Sequence, residues 1–305
     1  MILVRNKDFT SPFTKEVVVQ SVTRAGMKPW QANSFSSEIR DELLGKGIEE
    51  INSEQLSELI YNRLSNINSV VAERYKAWSE VRKEKHEPLI LLIGGGTGIG
   101  TTTISTEVAH RIGIRNVIAT DMIREIMRKT VSSKLLPALH SSSYLAFENV
   151  SEQVLDKNSP MLSAFKLQAW SVAVGIEAIL ERAIKEGTPT IIEGIHVVPG
   201  FISKKLLDEG NVIQFMLGLK DEKKHMSRFQ ARSYETKFKR PLEKYTENFG
   251  QIREIHNYLC KQAEEHNVTT LDNSDVEETV TQLTNKSLDK VIKQKREEGK
   301  LPKSG

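Results

Sequence analysis

The spacing of hydrophobic residues changes character along the first part of the chain. Apolar and polar residues alternate over positions 2–4 and 16–19, on either side of a polar turn at Ser11-Pro12, which predicts two short strands. Over positions 21–85 the apolar residues recur every three or four positions, which predicts helices. The clearest helical run contains Leu56, Leu59, Ile60, Leu64, Ile67, Val70 and Val71.

After Pro88 the pattern changes again, to short apolar runs separated by longer helical segments. The runs are residues 89–93, 116–119, 190–192, 212–217 and 268–271. Strands that alternate with helices predict an α/β fold with a parallel sheet flanked by helices. The longest helix is predicted to start near Pro160 and to stop at Gly187.

A charged break over residues 82–88 separates the two patterns, and we place a domain boundary there. Residues 1–86 are predicted to form a small, mainly helical domain with a short β-ribbon, and residues 87–292 the α/β domain. Residues 293–305 are charged and are expected to be a flexible tail. The serine-rich segment 131–150 has no clear period and is expected to be a covering loop or short helices.

Composition limits the class of protein. The 305 residues are 38% hydrophobic and 27% charged, as expected for a globular chain. A net charge of +3 is too small to indicate nucleic-acid binding. Cys260 is the single cysteine, which excludes an intrachain disulfide. With no run near the ~20 apolar residues of a membrane span and no signal-peptide pattern, the sequence predicts a cytoplasmic protein without membrane partners.

A glycine-rich loop follows the first strand of the second domain. Gly95 and Gly100 have the spacing of a phosphate-binding P-loop, and Thr102 stands at the hydroxyl position that holds Mg²⁺. The candidate nucleotide-binding residues are Gly95, Gly96, Thr97, Gly98, Ile99, Gly100, Thr101, Thr102 and Thr103. Thr101 replaces the usual lysine, so other residues must supply positive charge to the phosphates. A dinucleotide-binding or purely structural loop is the alternative.

Charged residues that follow the second predicted strand are candidates for binding a second substrate. Asp121, Arg124 and Arg128 share one face of a predicted helix, and two arginines suit a phosphorylated or carboxylated molecule. A solvated helix face with an Asp–Arg pair is the alternative interpretation.

The third predicted strand ends in Glu193, followed by Gly194 and His196. A carboxylate at this place can order the water shell of Mg²⁺ or accept a hydroxyl proton. His196 is a candidate substrate contact, with a structural loop histidine as the alternative.

A basic helix is predicted after the fourth strand. His225, Arg228 and Arg232 lie at positions i, i+3 and i+7 of one face. Arginines at this place can close over a transferring phosphate and replace the missing lysine charge. An exposed basic helix without such a role is the alternative.

Four segments together resemble the archaeal 2-phosphoglycerate kinase family. They are residues 95–103, 119–125, 192–200 and 225–232, and the lysine-less loop is similar to the family's own. Residues 1–85 resemble an ATP-cone more loosely, through Val4-Arg5-Asn6-Lys7 and Pro12-Phe13. In other enzymes that module binds an adenine nucleotide with a β-ribbon over a helical bundle.

The resemblance implies a P-loop kinase-type sheet and the conversion of ATP and 2-phosphoglycerate to ADP and 2,3-bisphosphoglycerate, a product that in archaea can feed cyclic 2,3-diphosphoglycerate synthesis. ATP and Mg²⁺ are then the implied cofactors. Carried over to this chain, residues 95–103 hold the triphosphate and Thr102 contacts Mg²⁺. Asp121, Arg124 and Arg128 face the phosphoglycerate, and either Glu193 or Asp121 is the base.

Arg228 and Arg232 are expected to close the lid of such a kinase. Two other functions remain open on the sequence. One is a kinase of the same fold with another small metabolite as acceptor. The other is a nucleotide-sensing regulator without turnover, which the missing loop lysine would suit.

Overall fold

The structure, a computed structural model, describes residues 2–6, 9–83, 88–209, 211–235, 237 and 241–297. The chain divides into two compact units, residues 1–85 with 284–305, and residues 86–283. The expected boundary between residues 86 and 87, the Lys7 part of the ATP-cone resemblance and the end of the expected tail lie outside the described residues.

The first unit combines a small sheet with a helical core. Its elements are β1 (Leu3–Arg5), β2 (Thr10–Pro12), α1 (Lys15–Arg24), α2 (Pro29–Gly45), β3 (Glu50–Asn52), α3 (Ser53–Ile67) and α4 (Ser69–Lys83). Strand β1 pairs antiparallel with β2 and parallel with β3. Apolar residues of all four helices form one core, to which Ile2, directly before β1, and Ile51 of β3 contribute.

The strand expected over residues 16–19 is wrong, because these residues belong to α1. Val18 and Val22 lie four positions apart and are both fully buried, so packing of one helix face outweighs the strand preference of consecutive valines. The expected turn at Ser11-Pro12 is instead part of strand β2. Strand β3 was not expected at all, since three residues carry too little pattern.

The second unit is an α/β domain. Its elements are β4 (Leu89–Gly95), α5 (Thr101–Ile112), β5 (Asn116–Ala119), α6 (Thr120–Thr130), two 3₁₀ helices (Pro137–His140 and Ser143–Asn149), α7 (Pro160–Glu186), β6 (Thr190–Gly194), α8 (Lys204–Asp208), β7 (Asn211–Gly218), α9 (Glu222–Glu235), α10 (Glu243–Thr246), α11 (Phe249–Glu265), β8 (Thr269–Asp272) and the start of α12 (Val276–Glu297). The five strands are parallel, in the order β5-β6-β4-β7-β8. This confirms the expected parallel α/β sheet.

The strand order decides where the candidate residues meet. Strand β4 is the buried centre of the sheet, between β6 and β7. Parallel strands bring their carboxyl ends to one edge of a sheet, where the loops that bind ligands lie. The glycine-rich loop after β4, the end of β6 and the start of α6 after β5 therefore lie along the same edge.

The C-terminal expectation needs a correction, because α12 continues to Glu297 instead of ending at residue 292. Its second half belongs to the first unit, where Arg74 makes two hydrogen bonds of 2.7 Å to Asp289, and Arg296 pairs with Glu73 at 2.6 Å. Leu288, Val291 and Ile292 are buried, so apolar packing continues in this half of the helix. The charged, Gly- and Pro-containing composition of residues 293–305 had suggested a tail.

In the described residues, no helix combines the length and the apolar character needed to cross a membrane.

Candidate active site

The glycine-rich loop presents main-chain groups at the amino end of α5. Gly98 and Gly100 adopt φ angles of +80° and +95°, and Ile99 N–H donates a 3.1 Å hydrogen bond to the carbonyl of Gly96. The first N–H groups of α5, from Thr101 onward, have no intrahelical partner, and the helix dipole adds positive potential there. The loop therefore has the form of an anion-binding site.

The side chain of Thr101, at the position of the usual P-loop lysine, packs against Gly95. The Thr101 methyl lies so close to Gly95 that a Cβ there would be 2.7 Å from it. Hydrogen bonds from Thr101 and Thr102 lower the pKa of Glu193, while burial, the larger effect, raises it. Thr101 thus supplies a hydroxyl, and no charge, at the place where a lysine would reach the phosphates.

Thr102 and Glu193 form the central polar pair of the site. Thr102 Oγ1 donates a 2.9 Å hydrogen bond to Glu193 Oε1, although the two residues are 91 positions apart in the sequence. Glu193 is 2% exposed at the end of β6. The charge of Asp121 further raises the pKa of Glu193, which places the two carboxylates within electrostatic reach of each other.

The start of α6 carries the predicted acceptor-binding residues. The Asp121 side chain is 67% exposed, with Oδ1 3.8 Å from Arg124 Nε. Arg124 is mostly buried and donates to the carbonyl oxygens of Leu139 and Ser141. Arg128 is partly exposed and pairs with Glu125 at 2.8 Å. The structure therefore brings Asp121 and Arg124 together, while Arg128 lies one turn further along the helix.

His196 does not face the site opening, contrary to the expectation of a substrate contact. It is fully buried, with Nδ1 3.0 Å from Thr120 Oγ1 and Nε2 3.1 Å from Gln168 Oε1. Burial lowers the pKa of His196 to about 4, so the ring is neutral at physiological pH. Its role in this structure is to join α6, α7 and the end of β6.

The predicted lid arginines occupy different positions. Arg228 donates to the carbonyl oxygens of Ile99 and Asn273, so its guanidinium lies against the loop rather than above it. Burial lowers the pKa of Arg228. Arg232 lies one turn further along α9 and is half-buried. Arg228 therefore lies beside the glycine-rich loop, and the role predicted for Arg228 and Arg232 in closing over a transferring phosphate stays a prediction.

Two residues of the site escaped the sequence analysis. Gln168 is a fully buried amide on an otherwise apolar face of α7, and it donates to Ser141 O at 3.1 Å and accepts from Ser143 at 2.7 Å. Asn273 follows β8 and donates to Ile99 O at 2.7 Å. A polar residue within an apolar stripe or directly after a buried strand is the signal that could have found them.

The segment 131–150 forms two 3₁₀ helices, as one of its two expectations stated. Gln168, Arg124 and His196 all bond to this segment or to residues that hold it. The segment therefore lies fixed beside the start of α6.

Comparison with known proteins finds a family match for residues 1–84 and relatives that align with almost the whole chain. Residues 1–84 match the ATP cone domain. The chain is 41% identical over 296 residues to the 2-phosphoglycerate kinase of Methanopyrus kandleri, covering 97% of this chain and 90% of that protein. It is 42% identical over 296 residues to the 2-phosphoglycerate kinase of Methanothermobacter thermautotrophicus, covering 97% of this chain and 96% of that protein.

Among solved structures, a gluconokinase from Sinorhizobium meliloti is 15% identical, with 70% of this chain and 98% of that chain covered and a TM-score of 0.41. The full-length identity to the two archaeal enzymes carries the assignment. On that similarity and the loop geometry together, the chain belongs to the 2-phosphoglycerate kinase family.

Proposed function

We propose that this protein transfers the γ-phosphoryl group of ATP to the 3-hydroxyl of 2-phosphoglycerate, giving ADP and 2,3-bisphosphoglycerate. The observation that carries the proposal is the Thr102–Glu193 hydrogen bond, which places a P-loop hydroxyl against a buried carboxylate. Asp121 and Arg124 lie at the same edge of the sheet. The proposed nucleotide loop follows β4 and the proposed acceptor residues follow β5, with Glu193 at the end of β6 between them, which supports in-line transfer between the two groups.

The donor atoms of the site fit Mg²⁺. Hydroxyl and carboxylate oxygens are the ligands this ion prefers, and it keeps most of its other ligands as water and substrate phosphate. Thr102 would contact the ion and Glu193 would orient its water shell. When bound, Mg²⁺ neutralises charge on the β- and γ-phosphates. Within the described residues, no group of three or more His, Cys, Asp or Glu side chains is arranged to hold a metal ion.

Asp121 is the better of the two candidate bases. A general base must reach the proton that it abstracts. The Asp121 carboxylate is 67% exposed at the start of α6, whereas Glu193 is 2% exposed and already accepts from Thr102. We therefore propose that Asp121 abstracts the proton of the acceptor hydroxyl and that Glu193 orients the Thr102 hydroxyl.

Arg124 is the residue we assign to the anionic acceptor. Two main-chain carbonyls hold its guanidinium, and its buried Nε makes no hydrogen bond among the described residues, its nearest carboxylate oxygen being Asp121 Oδ1 at 3.8 Å. A phosphate or carboxylate oxygen of 2-phosphoglycerate would satisfy that donor, since buried unpaired donors are costly. Arg128, partly exposed beside Glu125, adds positive potential at the same helix.

The first unit offers a second place for nucleotide. A cleft of about 1030 Å³ lies between the ribbon strands and the helices of this unit, lined in part by Val4, Pro12, Tyr61 and Tyr75. The ATP cone assignment of residues 1–84 supports adenine-nucleotide binding in this unit. Kinetic tests of the kinase site therefore need a readout that is local to that site or specific to turnover.

One assay tests the proposal. Purified protein with Mg-ATP and 2-phosphoglycerate should release ADP and form 2,3-bisphosphoglycerate in equal amounts, and Thr102→Ala should abolish both. Turnover with other small acceptors but not with 2-phosphoglycerate would contradict the proposal that 2-phosphoglycerate is the acceptor.

The Thr101 side chain specifically favours a second candidate, a nucleotide sensor, because it removes the loop cation. Binding of ATP without ADP release under any of these conditions would support that sensor and overturn the kinase.

A further inference from the structure

We propose that His225 is a positioning residue for phosphoryl transfer. Its Nε2–H donates a hydrogen bond to the Thr97 carbonyl and thereby fixes the P-loop on the side that packs against α9 and α11. The proposal rests on the function proposed above. His225 Nε2 lies 2.8 Å from Thr97 O, across 128 positions of sequence. A carbonyl oxygen can only accept, so Nε2 carries the proton and the tautomer of the ring is defined.

The rear of the loop rests on aromatic rings of α9 and α11. A Cβ at Gly98 would lie 2.5 Å from the Phe229 ring, and one at Gly96 would lie 3.1 Å from His256 Cβ. The His225 ring is 5.1 Å from Phe229 and 5.3 Å from Phe249 between centroids. The His225 ring packs against these aromatic rings in the orientation in which Nε2 meets the loop.

A second carbonyl of the loop is held in the same way. Arg228 and Asn273 both donate to Ile99 O, the latter at 2.7 Å. Side chains of α9, together with Asn273, thus donate hydrogen bonds to the carbonyls of Thr97 and Ile99. The same two peptide groups carry the N–H groups of Gly98 and Gly100, for which no hydrogen-bond partner is found among the described residues.

This arrangement has an electrostatic consequence at the front of the loop. A peptide whose carbonyl accepts a hydrogen bond is polarised, so its N–H becomes a better donor. His225 therefore both fixes the direction of the Gly98 N–H and strengthens it toward a phosphate oxygen. In a loop that lacks its lysine, such preorganised N–H groups carry a larger share of phosphate binding.

Burial is the main reason that His225 stays in this neutral donor form. Its Nδ1 is buried without a partner among the described residues, so protonation there would create an unpaired buried charge. Burial lowers the pKa of His225 most, the hydrogen bond to the Thr97 carbonyl raises it, Arg253 and Arg228 lower it, and Glu222 raises it. His256, whose ring centroid is 6.1 Å away on α11, is held neutral by its own burial.

The test compares three replacements of this histidine. Gln carries an N–H at nearly the reach of Nε2, Asn carries the same amide but stops short, and Leu has no donor. We expect His225→Leu and His225→Asn to lower kcat/KM for ATP by about 10- to 100-fold, the range for a lost buried hydrogen bond. His225→Gln should stay within about threefold of wild type, since it restores that bond. KM for 2-phosphoglycerate should change in none of them.

Hydrogen exchange of the peptide over residues 94–104 gives a local readout that needs no turnover. Faster exchange in His225→Leu and His225→Asn, restored in His225→Gln, is expected without nucleotide. The matched control is His140→Leu, which removes another histidine bond to a main-chain carbonyl, the 3.1 Å contact with Val131 O, and should leave the loop unchanged.

Two outcomes would overturn the proposal. In one, exchange and kcat/KM stay at wild-type values in His225→Leu. In the other, Gln fails as completely as Asn, which would show that ring shape matters instead of the donor. If the wild type has no phosphotransfer activity, the proposed function fails, while the exchange data still decide whether His225 holds the loop.

Discussion

Thr102 Oγ1 and Glu193 Oε1 are joined by a 2.9 Å hydrogen bond that connects the amino end of α5 to the carboxyl end of β6. The pair exists because β4 and β6 are neighbours in register, with Ile93 opposite Glu193. Burial of the carboxylate raises its pKa, and the threonine hydroxyls partly offset that effect. The bond is therefore both a structural joint and the centre of the proposed nucleotide–metal site.

Removing the carboxylate charge should impair catalysis more than folding. We expect Glu193→Gln to lower kcat by about 10²–10³, the range for one lost electrostatic contact in an active site. The measurement is steady-state ADP release at varied Mg²⁺ concentration. Thr106→Ala, an exposed threonine on the same helix, is the control. Wild-type kcat in Glu193→Gln would contradict this role.

Asp121→Asn tests the assignment of the base. Loss of a general base lowers kcat by about 10²–10⁴ and removes the limb of the pH–rate profile that reports its ionisation. KM for ATP should stay close to wild type, because Asp121 lies after β5 and not in the loop that holds the nucleotide. A profile that keeps its acid limb in Asp121→Asn would transfer the role to Glu193.

Arg124→Lys should raise KM for 2-phosphoglycerate by tenfold or more, of the order that a charge-assisted hydrogen bond contributes. Lysine keeps the charge but cannot bind two carbonyls and an anion in one plane. The control is Arg128→Lys, whose exposed pairing with Glu125 predicts a change of less than about threefold. An effect on KM for ATP alone would contradict the assignment.

Gly98→Ala should disrupt the loop. The φ angle of +80° costs a non-glycine residue about 1–2 kcal/mol, and the added Cβ would lie 2.5 Å from the Phe229 ring. We expect at least a hundredfold loss of kcat/KM for ATP and a lower Tm. Gly250→Ala, within α11 and with open space around it, should raise Tm instead. Equal effects of the two changes would refute the steric argument.

Stability should fall in mild acid because of two buried histidines. Burial lowers the pKa of His196 and of His256 to about 4, against an ordinary value of 6.5. The unfolded chain binds protons at the higher pH, so the free energy of unfolding decreases as pH falls from 6.5 toward 4, by on the order of 3 kcal/mol for each histidine.

Glu193 acts in the opposite sense, since its raised pKa favours the folded state at low pH and that contribution is lost as pH rises through its folded value. Denaturation of the wild type and of His256→Gln across this range isolates the histidine. The variant should show a shallower dependence on pH, and an identical slope would contradict a buried neutral His256.

Strong local signals were enough for much of the fold. Five apolar runs predicted the five parallel strands, and the glycine spacing together with Thr102 predicted the loop between β4 and α5. These signals are local because strand burial, helix caps and left-handed glycines depend on neighbouring residues in the chain. Where local preference and packing disagree, as in the valines of α1, the sequence alone was misleading.

Family resemblance and residue type also singled out residues whose contacts only the structure shows. Arg228 was predicted to lie over a transferring phosphate, but only the packing of α9 shows that its guanidinium donates to the Ile99 carbonyl. His196 was found as a residue after β6, but only its burial between Thr120 and Gln168 shows that it joins elements instead of facing solvent.

The sequence by itself determined the parallel α/β class, the glycine-rich loop with P-loop spacing, and the presence of Thr101 where such a loop usually has a lysine. Only the tertiary structure decided which carboxylate is exposed and which arginine and histidine donate to main-chain carbonyls of the loop. The physical reason is that these roles depend on burial and on hydrogen bonds between residues about 90 to 170 positions apart, such as Thr102 with Glu193 and Asn273 with Ile99. No local pattern records such distances.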